Sequence, residues 1–319
     1  MIPEVSVVIP TYNRRAMVRE AIASVIAQRG AEFELIVVDD GSTDGTADEL
    51  DRIAALANAD RMMMRVVRGE NRGPAAARNA GVAIASAPML AFLDSDDLWM
   101  PHKLQRQIAF MRAHPGCAIS QTGEIWIRDG RRVNPGIRHR KRAGDLFIDS
   151  LRTCLISPSS VIMRTELFRA AGGFDERMVA AEDYDLWLRI LAIYEVGLLP
   201  EPLMTRRAGH PGQLSATVPA IDRFRIVALM KLLGGSDLNE QRRHAVCGVL
   251  ADKCAIYAQG LRRRGREDDA ALAAEVGARA ETLWRERVDD SLHDSIARML
   301  AIIACGGFSG ASAIMETVA

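Results

Sequence analysis

The chain has 319 residues, 49% of them apolar and 26% charged, the balance of an ordinary globular protein with a core of normal size. Its 41 basic and 41 acidic residues cancel to a formal net charge of zero, so no global field favours nucleic acid as a partner. Five scattered cysteines, a start without a basic leader and apolar run, and no uncharged apolar stretch of about 18 residues argue against a disulfide scaffold, a secretory signal and a membrane span.

The thiols fit a reducing compartment, and a cytoplasmic location is expected, with at most peripheral contact with the inner face of a membrane. Cys247 and Cys254, seven apart on a predicted helix, suit core packing. The apolar stretch 299–315 is broken by Gly306, Gly307, Ser309 and Gly310 and reads as a terminal helix with a loose tail.

In chain order, 5–9 is a short β-branched run closed by Pro10, and 14–28 has helical spacing with Val18, Ile22, Val25 and Ile26 on one side. A second strand at 33–38 ends in Asp39-Asp40-Gly41-Ser42. Thr43 or Asp44 then caps a helix carrying Leu50, Ile53 and Leu56. Residues 63–67 read as a third strand, 75–85 as a third helix, and 89–93 as a fourth strand that stops at Asp94-Ser95-Asp96-Asp97. This alternation predicts βαβ units in an α/β fold with a mainly parallel, Rossmann-like sheet flanked by helices. A helix at 101–114, a strand ending near Ile127, a basic loop through Arg131, Arg132 and Arg138-His139-Arg140-Lys141-Arg142, a strand at 161–163 and a helix at 183–193 follow. Beyond about Pro219 helical patterns fill 224–233, 245–261, 270–284 and 296–303. The expected division is a catalytic domain over 1–218 and an all-helical appendage over 219–319, whose apolar faces would pack on that domain or on another copy of the chain.

Ligands of open parallel sheets bind beyond the carboxyl ends of the strands. The predicted strand ends carry Thr11-Tyr12-Asn13, then Asp39-Asp40, then Asn71, then Asp94 with Asp96. Crowded carboxylates repel one another, so a rim of this kind implies a cation or a polar ligand. In an extended segment Asp94 and Asp96 would point the same way, one toward a metal and one toward a hydroxyl. Hard oxygen ligands favour Mg²⁺ or Mn²⁺. The plainer alternative is that these residues cap the helix near Pro101. One of Asp39 and Asp40 has a structural alternative in the turn at Gly41. Arg78 lies among the small residues of GPAAARN, where a helix can approach the rim and a guanidinium can pair with carboxylates or a diphosphate.

Six segments in order, VSVVIPTYNR (5–14), ELIVVDDGSTDGT (34–46), NRGPAAARNAG (71–81), FLDSDDLW (92–99), GGFDE (172–176) and EDYDLWLR (182–189), resemble the inverting family-2 glycosyltransferases, which have an A-type nucleotide-sugar-binding fold. The likeness covers roughly residues 4–215. It implies that Pro10, Thr11, Tyr12, Asn13, Asp39 and Asp40 surround the nucleotide, and that Arg78, Asp94 and Ser95 hold its base, ribose or diphosphate. It implies further that Asp96 binds the divalent metal and that Asp183 is the general base, with Glu182 beside it. His210, in AGHPGQLS, matches a further metal or diphosphate contact, or is a loop histidine without a ligand.

The implied reaction moves one sugar from a nucleoside-diphosphate sugar, most often a UDP-sugar, to a hydroxyl of a glycan or lipid-linked acceptor, in surface-glycan, lipopolysaccharide or glycolipid assembly. Processive members carry Gln-x-x-Arg-Trp and membrane helices, and this chain carries neither. A non-catalytic nucleotide-sugar sensor on the same fold is the alternative from another class, and intact Asp96, Glu182 and Asp183 count against it. A dinucleotide-binding dehydrogenase would need Gly-x-Gly-x-x-Gly where this chain has Pro10-Thr11-Tyr12-Asn13. A nucleotidyltransferase would need glycines between Ser6 and Arg15 to cradle a triphosphate. The runs 138–142 and 262–264 read as solvated basic loops, with anionic lipid or a lipid diphosphate as the alternative partner.

Overall fold

All seven residues of β1 (Val5–Thr11) are buried, as a central parallel strand covered on both faces requires. In the computed structural model, which describes residues 2–59, 63–210, 212–213, 218, 220–235 and 237–283, β2 (Phe33–Asp39) and β4 (Met89–Phe92) flank β1 in parallel. β3 (Met64–Arg68) lies parallel outside β2. The helices α1 (Arg15–Ile26), α2 (Thr46–Ala59) and α3 (Pro74–Ala83) follow the first three strands. α1 buries Val18, Ala21, Ile22 and Val25; of the stripe that the sequence spacing predicts, Ile26 at the end of the helix is instead exposed. α3 lies close against the sheet because it is built of small residues. A Cβ on Gly81 would stand 2.5 Å from Val8 Cγ1, so a bulkier residue there would push helix and strand apart.

The far half of the sheet is mixed. β8 (Val161–Arg164) runs antiparallel to β4, and β6 (Ile119–Arg128) antiparallel to β8. β9 (Gly197–Ala208) runs parallel to β6, and the two-residue β5 (Leu98–Trp99) closes the edge. The strand order is β3-β2-β1-β4-β8-β6-β9-β5, with β7 (Arg131–Val133) paired to β6 off this path. α4 (Lys103–Ala113) and α6 (Thr165–Ala170) complete this part of the chain.

Three strands were not legible in the sequence. β9 contains Pro200 and Pro202 and lacks alternation. It is accommodated by bulges in β9 itself, which advances from Leu199 to Pro202 to Met204 while β6 advances only from Thr122 to Gly123 to Glu124; the absent side chain of Gly123 leaves room for the Pro200 carbonyl. β7 lies inside the expected basic loop. Asp129 and Gly130 both take positive φ, 50° and 74°, the requirement of a two-residue hairpin turn that Asp-Gly satisfies. β5 is too short to leave a pattern.

The described residues fall into two compact units. The first comprises Met1–Leu146, Leu155–Glu176 and Tyr194–Gln213 and holds the whole sheet. The second takes Phe147–Cys154, Arg177–Ile193 and Leu214–Ala319. It contains the single turn α5 (Phe147–Ser150), then α7 (Glu182–Leu191), α8 (Asp222–Gly235), α9 (Glu240–Arg262) and α10 (Glu267–Leu283). Within it Asp185 on α7 accepts from Lys231 Nζ on α8 at 2.6 Å and from Arg189 at 2.8 Å, so its buried carboxylate joins the two helices. Cys247 and Cys254 are buried on α9, and burial pushes their thiols up to about 11 and about 12. They are core residues, as their spacing predicts. No helix among the described residues is long and apolar enough to cross a membrane. The expected helix at 296–303, the apolar stretch 299–315, Cys305 and the boundary residue Pro219 lie outside the described residues.

Candidate active site

The strand order reverses at β1. The chain builds β2 and β3 to one side and then places β4 on the other, which makes the carboxyl ends of β1 and β4 the switch point, where such sheets bind ligands. Past β4 the Leu93 amide still donates to the Val8 carbonyl (3.0 Å), and the chain then turns. The Asp97 amide donates to the Asp94 carbonyl at 2.9 Å, so residues 94–97 form a turn and not the extended segment inferred from alternation. The turn still gathers the acids. Asp94, Asp96 and Asp97 each offer a carboxylate oxygen, and these lie within 4.8 Å of one another. None of them caps α4, which begins at Lys103 after an N-cap, His102, that makes no side-chain capping bond.

The three acids differ in their surroundings. Asp97 is buried and has both oxygens occupied, by Ser159 Oγ (2.7 Å) and the Arg207 amide (3.0 Å). Burial, with the neighbouring charges of Asp96 and Asp94, pushes its carboxyl well above the usual carboxylate range. Asp94 accepts from Arg78 Nη2 at 2.6 Å, and its amide donates to the same Ser159 hydroxyl at 3.0 Å. Asp96 Oδ2 is shared by Arg14 Nη1 (2.9 Å) and His210 Nε2 (2.8 Å). Asp94 Oδ2 and Asp96 Oδ1 accept no hydrogen bond among the described residues. Hard carboxylate oxygens that close, crowding one another's charge, suit Mg²⁺ or Mn²⁺. His210 stands against that cluster. Ser95 is buried beneath the turn, with Arg14 Nη1 3.5 Å from its hydroxyl.

The β1 and β2 ends form the adjoining wall. Pro10 is buried; Thr11 is buried too, and its Oγ1 finds no hydrogen-bond partner among the described residues. Tyr12 is 44% exposed beside it. Asn13 takes a left-handed φ of 49° and works within the protein. Its Oδ1 accepts from the Thr43 amide (2.7 Å), and its own amide donates to Ser42 Oγ (2.8 Å). Asp39 Oδ1 accepts from the Ser42 amide (3.1 Å), the turn role that the sequence allowed for one of the pair. Asp40 accepts from the amides of Arg72 (2.9 Å) and Gly73 (2.8 Å). Burial raises the Asp40 carboxyl even so, the two amides offsetting only part of that effect.

Arg78 is buried and held from two sides. Its guanidinium lies 5.2 Å from the Phe174 ring centre and pairs with Asp94. Phe174 is positioned by Asn79, whose side chain donates to the Phe174 carbonyl (2.8 Å) and accepts from its amide (3.1 Å). The GGFDE segment thus buttresses the arginine of GPAAARN.

Glu182 and Asp183 belong to the second unit. They open α7 after Ala181, which takes a left-handed conformation (φ 58°) that a non-glycine residue adopts only when its surroundings impose it. Glu182 is buried. Asp183 is partly exposed; its Oδ1 accepts from the Tyr184 amide (2.7 Å), and the thiol of Cys154 lies 3.7 Å from its Oδ2.

Sequence reasoning passed over Arg14, Asp97, Ser159 and Arg207. Arg14 and Asp97 stand inside the quoted segments and are visible as charged residues at strand ends. Ser159, in the 3₁₀ turn Pro158–Ser160 just before β8, and Arg207, on β9, have no local signal and reach the cluster only through the mixed half of the sheet.

A half-sheet of parallel strands, continued by a mixed half and carrying a tight aspartate trio at its switch point, is the A-type glycosyltransferase fold. The description "Glycosyl transferase family 2" matches residues 6–170, more than half of the chain, and the chain belongs to that family. An uncharacterized glycosyltransferase of Rickettsia felis is 33% identical over 200 residues, 63% of this chain and 32% of its own, so the chain spans about a third of that relative's length. The Escherichia coli enzyme WfgD, a UDP-Glc:alpha-D-GlcNAc-diphosphoundecaprenol beta-1,3-glucosyltransferase, is 33% identical over 187 residues, 59% of this chain and 69% of that one. Among solved structures, S. aureus TarS 1-349 in complex with UDP-GlcNAc superposes with a TM-score of 0.65 at 20% identity, over 99% of this chain and 90% of that one.

Proposed function

We propose that the protein transfers a single sugar, with inversion, from a nucleoside-diphosphate sugar to an acceptor hydroxyl in the assembly of a surface glycan or glycolipid. The observation that carries this reading is the convergence of the Asp94, Asp96 and Asp97 carboxylates, beside Arg78, at the switch point of the sheet. UDP is the favoured nucleotide and a lipid-linked glycan the favoured acceptor, by likeness to TarS and to WfgD.

Each residue then has a chemical task. Thr11, Tyr12 and Asp40 line the nucleotide base, and the unpaired, buried Thr11 hydroxyl is suited to a hydrogen bond from such a ligand. Asp94 and Asp96 hold a divalent cation, Mg²⁺ or Mn²⁺, with His210 beside them. That cation, when bound, supplies Lewis-acid stabilisation of the charge developing on a departing diphosphate. Arg78 contributes fixed positive charge at the same place, buried where solvent screens it least. Asp97, saturated by Ser159 and Arg207, keeps the turn in shape. Asp183 takes the proton of the acceptor hydroxyl as its oxygen attacks the anomeric carbon from the face opposite the leaving group, and one displacement inverts the centre. Glu182 orients the start of α7.

The test is thermal stabilisation by uridine, guanosine and thymidine diphosphate sugars with and without Mn²⁺, followed by a transfer and donor-hydrolysis assay. A ligand at 100 times its dissociation constant stabilises by about 2.7 kcal/mol. Metal-dependent stabilisation by one nucleotide and turnover of its sugar are expected. Stabilisation without any turnover would leave a sensor, and no metal-dependent stabilisation by any donor would remove the reading altogether.

A further inference from the structure

Residues 128–142 read RDGRRVNPGIRHRKR, seven basic residues and one acid, in a chain whose net charge is zero. The fold gathers them into one projection. β7 turns back on β6 across Asp129-Gly130, and a 3₁₀ turn, Ile137–His139, follows. Ile137 is 93% exposed, more than any other large apolar side chain among the described residues. Arg128, Arg131, Arg132, Arg138 and Arg140 are exposed on the same segment, and among the described residues none of them makes an ion pair.

The base of the projection is anchored. The His139 ring lies 5.3 Å from Trp126, which also carries the Arg206 guanidinium at 4.9 Å. Lys141 pairs with Glu124 at 3.0 Å and donates to the Leu155 carbonyl at 2.9 Å. The Arg142 carbonyl accepts from Gln121 Nε2 at 3.0 Å. The tip is therefore held in place with an isoleucine presented to water and cations left without acids.

An exposed isoleucine on a segment with five exposed arginines that make no ion pair among the described residues is complementary to an anionic bilayer surface, which offers phosphates at the headgroup level and hydrocarbon just beneath. A soluble phosphate or a nucleic acid would engage the arginines and leave Ile137 in water. We propose that this projection docks the protein on an anionic membrane, with Ile137 entering the headgroup–acyl boundary and the arginines pairing with lipid phosphates. The inference does not depend on the catalytic reading.

The test is co-sedimentation of the full chain with vesicles of phosphatidylcholine alone and of phosphatidylcholine with phosphatidylglycerol. Binding to the anionic vesicles only, weakening with salt, is expected. Arg138→Gln should lower the partition about fivefold, the factor equivalent to about 1 kcal/mol per basic residue at such a surface. Ile137→Ser should lower it as well, and Ile137→Trp should show a blue-shifted emission on anionic vesicles. These exposed substitutions should leave the thermal midpoint unchanged. Four outcomes would overturn the proposal: no binding, equal binding to neutral vesicles, full binding by Ile137→Ser, or release by inorganic diphosphate at constant ionic strength.

Discussion

Arg14 Nη1 lies 2.9 Å from Asp96 Oδ2, and His210 Nε2 lies 2.8 Å from that same oxygen. A residue just past β1 thus neutralises the acid proposed to hold the metal. Arg14 also donates from Nη2 to the Gly212 carbonyl at 2.9 Å, tying Gly212 to the rim. A cation entering at Asp96 must share its carboxylate with this guanidinium.

Arg14→Met is accordingly expected to strengthen Mn²⁺ binding to the free protein, by roughly 1 kcal/mol or about fivefold, the scale of a partly exposed ion pair. Titration followed by Mn²⁺ electron paramagnetic resonance measures it. An unchanged or weaker affinity would show that Arg14 does not compete with the ion.

Asp183→Asn keeps the side-chain shape and the bond from the Tyr184 amide while removing the base. Donor binding should be retained and transfer should fall about 10²–10⁴-fold, the usual contribution of a positioned base. Asp96→Ala should instead abolish metal-dependent donor binding. Binding measured by calorimetry beside single-turnover transfer separates the two roles, and wild-type turnover in either variant would remove that residue from the scheme.

Glu34 is buried at the opposite end of the sheet, where Ser6 Oγ (2.5 Å), the Ser86 amide (2.7 Å), Ser86 Oγ (2.8 Å) and Arg65 converge on it. Burial acts to raise its pKa, but these donors outweigh burial and hold the carboxyl below its ordinary value. Glu34→Gln, which keeps the shape but loses the charge, should cost about 1–3 kcal/mol in denaturant unfolding at neutral pH. A lowered folded pKa means that this contribution is full above the unfolded glutamate value and disappears as pH falls through the folded one. The gap between wild type and variant should therefore close in acid; a gap independent of pH would assign the loss to packing.

Lys103 is fully buried, its ammonium 4.1 Å from the Trp99 ring centre and bonded to Gln107 Oε1 at 2.9 Å, with no acid in contact among the described residues. Burial pushes its pKa well below the ordinary lysine value. The unfolded chain then binds more protons than the folded one between the two pKa values, so stability rises with pH across that window. Lys103→Met should raise the thermal midpoint at neutral pH, with a gain that shrinks toward the ordinary lysine pKa. A destabilised variant would mean that the bonds to Gln107 and Trp99 outweigh the burial of the charge.

Much of the site was legible because its residues sit in short segments at the ends of strong strands. Val5–Thr11 and Phe33–Asp39 announce themselves as buried strands, and the polar residues that follow have nowhere to lie but the rim. The aspartates at 94 and 96 were found through a faulty geometric premise, since a turn and not an extended pleat brings them together. Arg207 left no local signal, because its amide reaches Asp97 only after β9 has crossed to the distant half of the sheet.

The amino-acid order alone determined the βαβ alternation, the acidic rim, the small-residue helix that brings Arg78 inward and the family, because each of these is a short-range pattern of period, turn chemistry or motif. Only the tertiary structure decided that both Asp97 oxygens accept hydrogen bonds while, among the described residues, Asp94 and Asp96 each keep one that does not, that Asn13 and Asp39 serve the turns, and that Ile137 and the arginines at 128, 131, 132, 138 and 140 are exposed together. Those outcomes depend on which groups meet across tens of residues, and contact between distant segments is set by packing and long-range strand pairing.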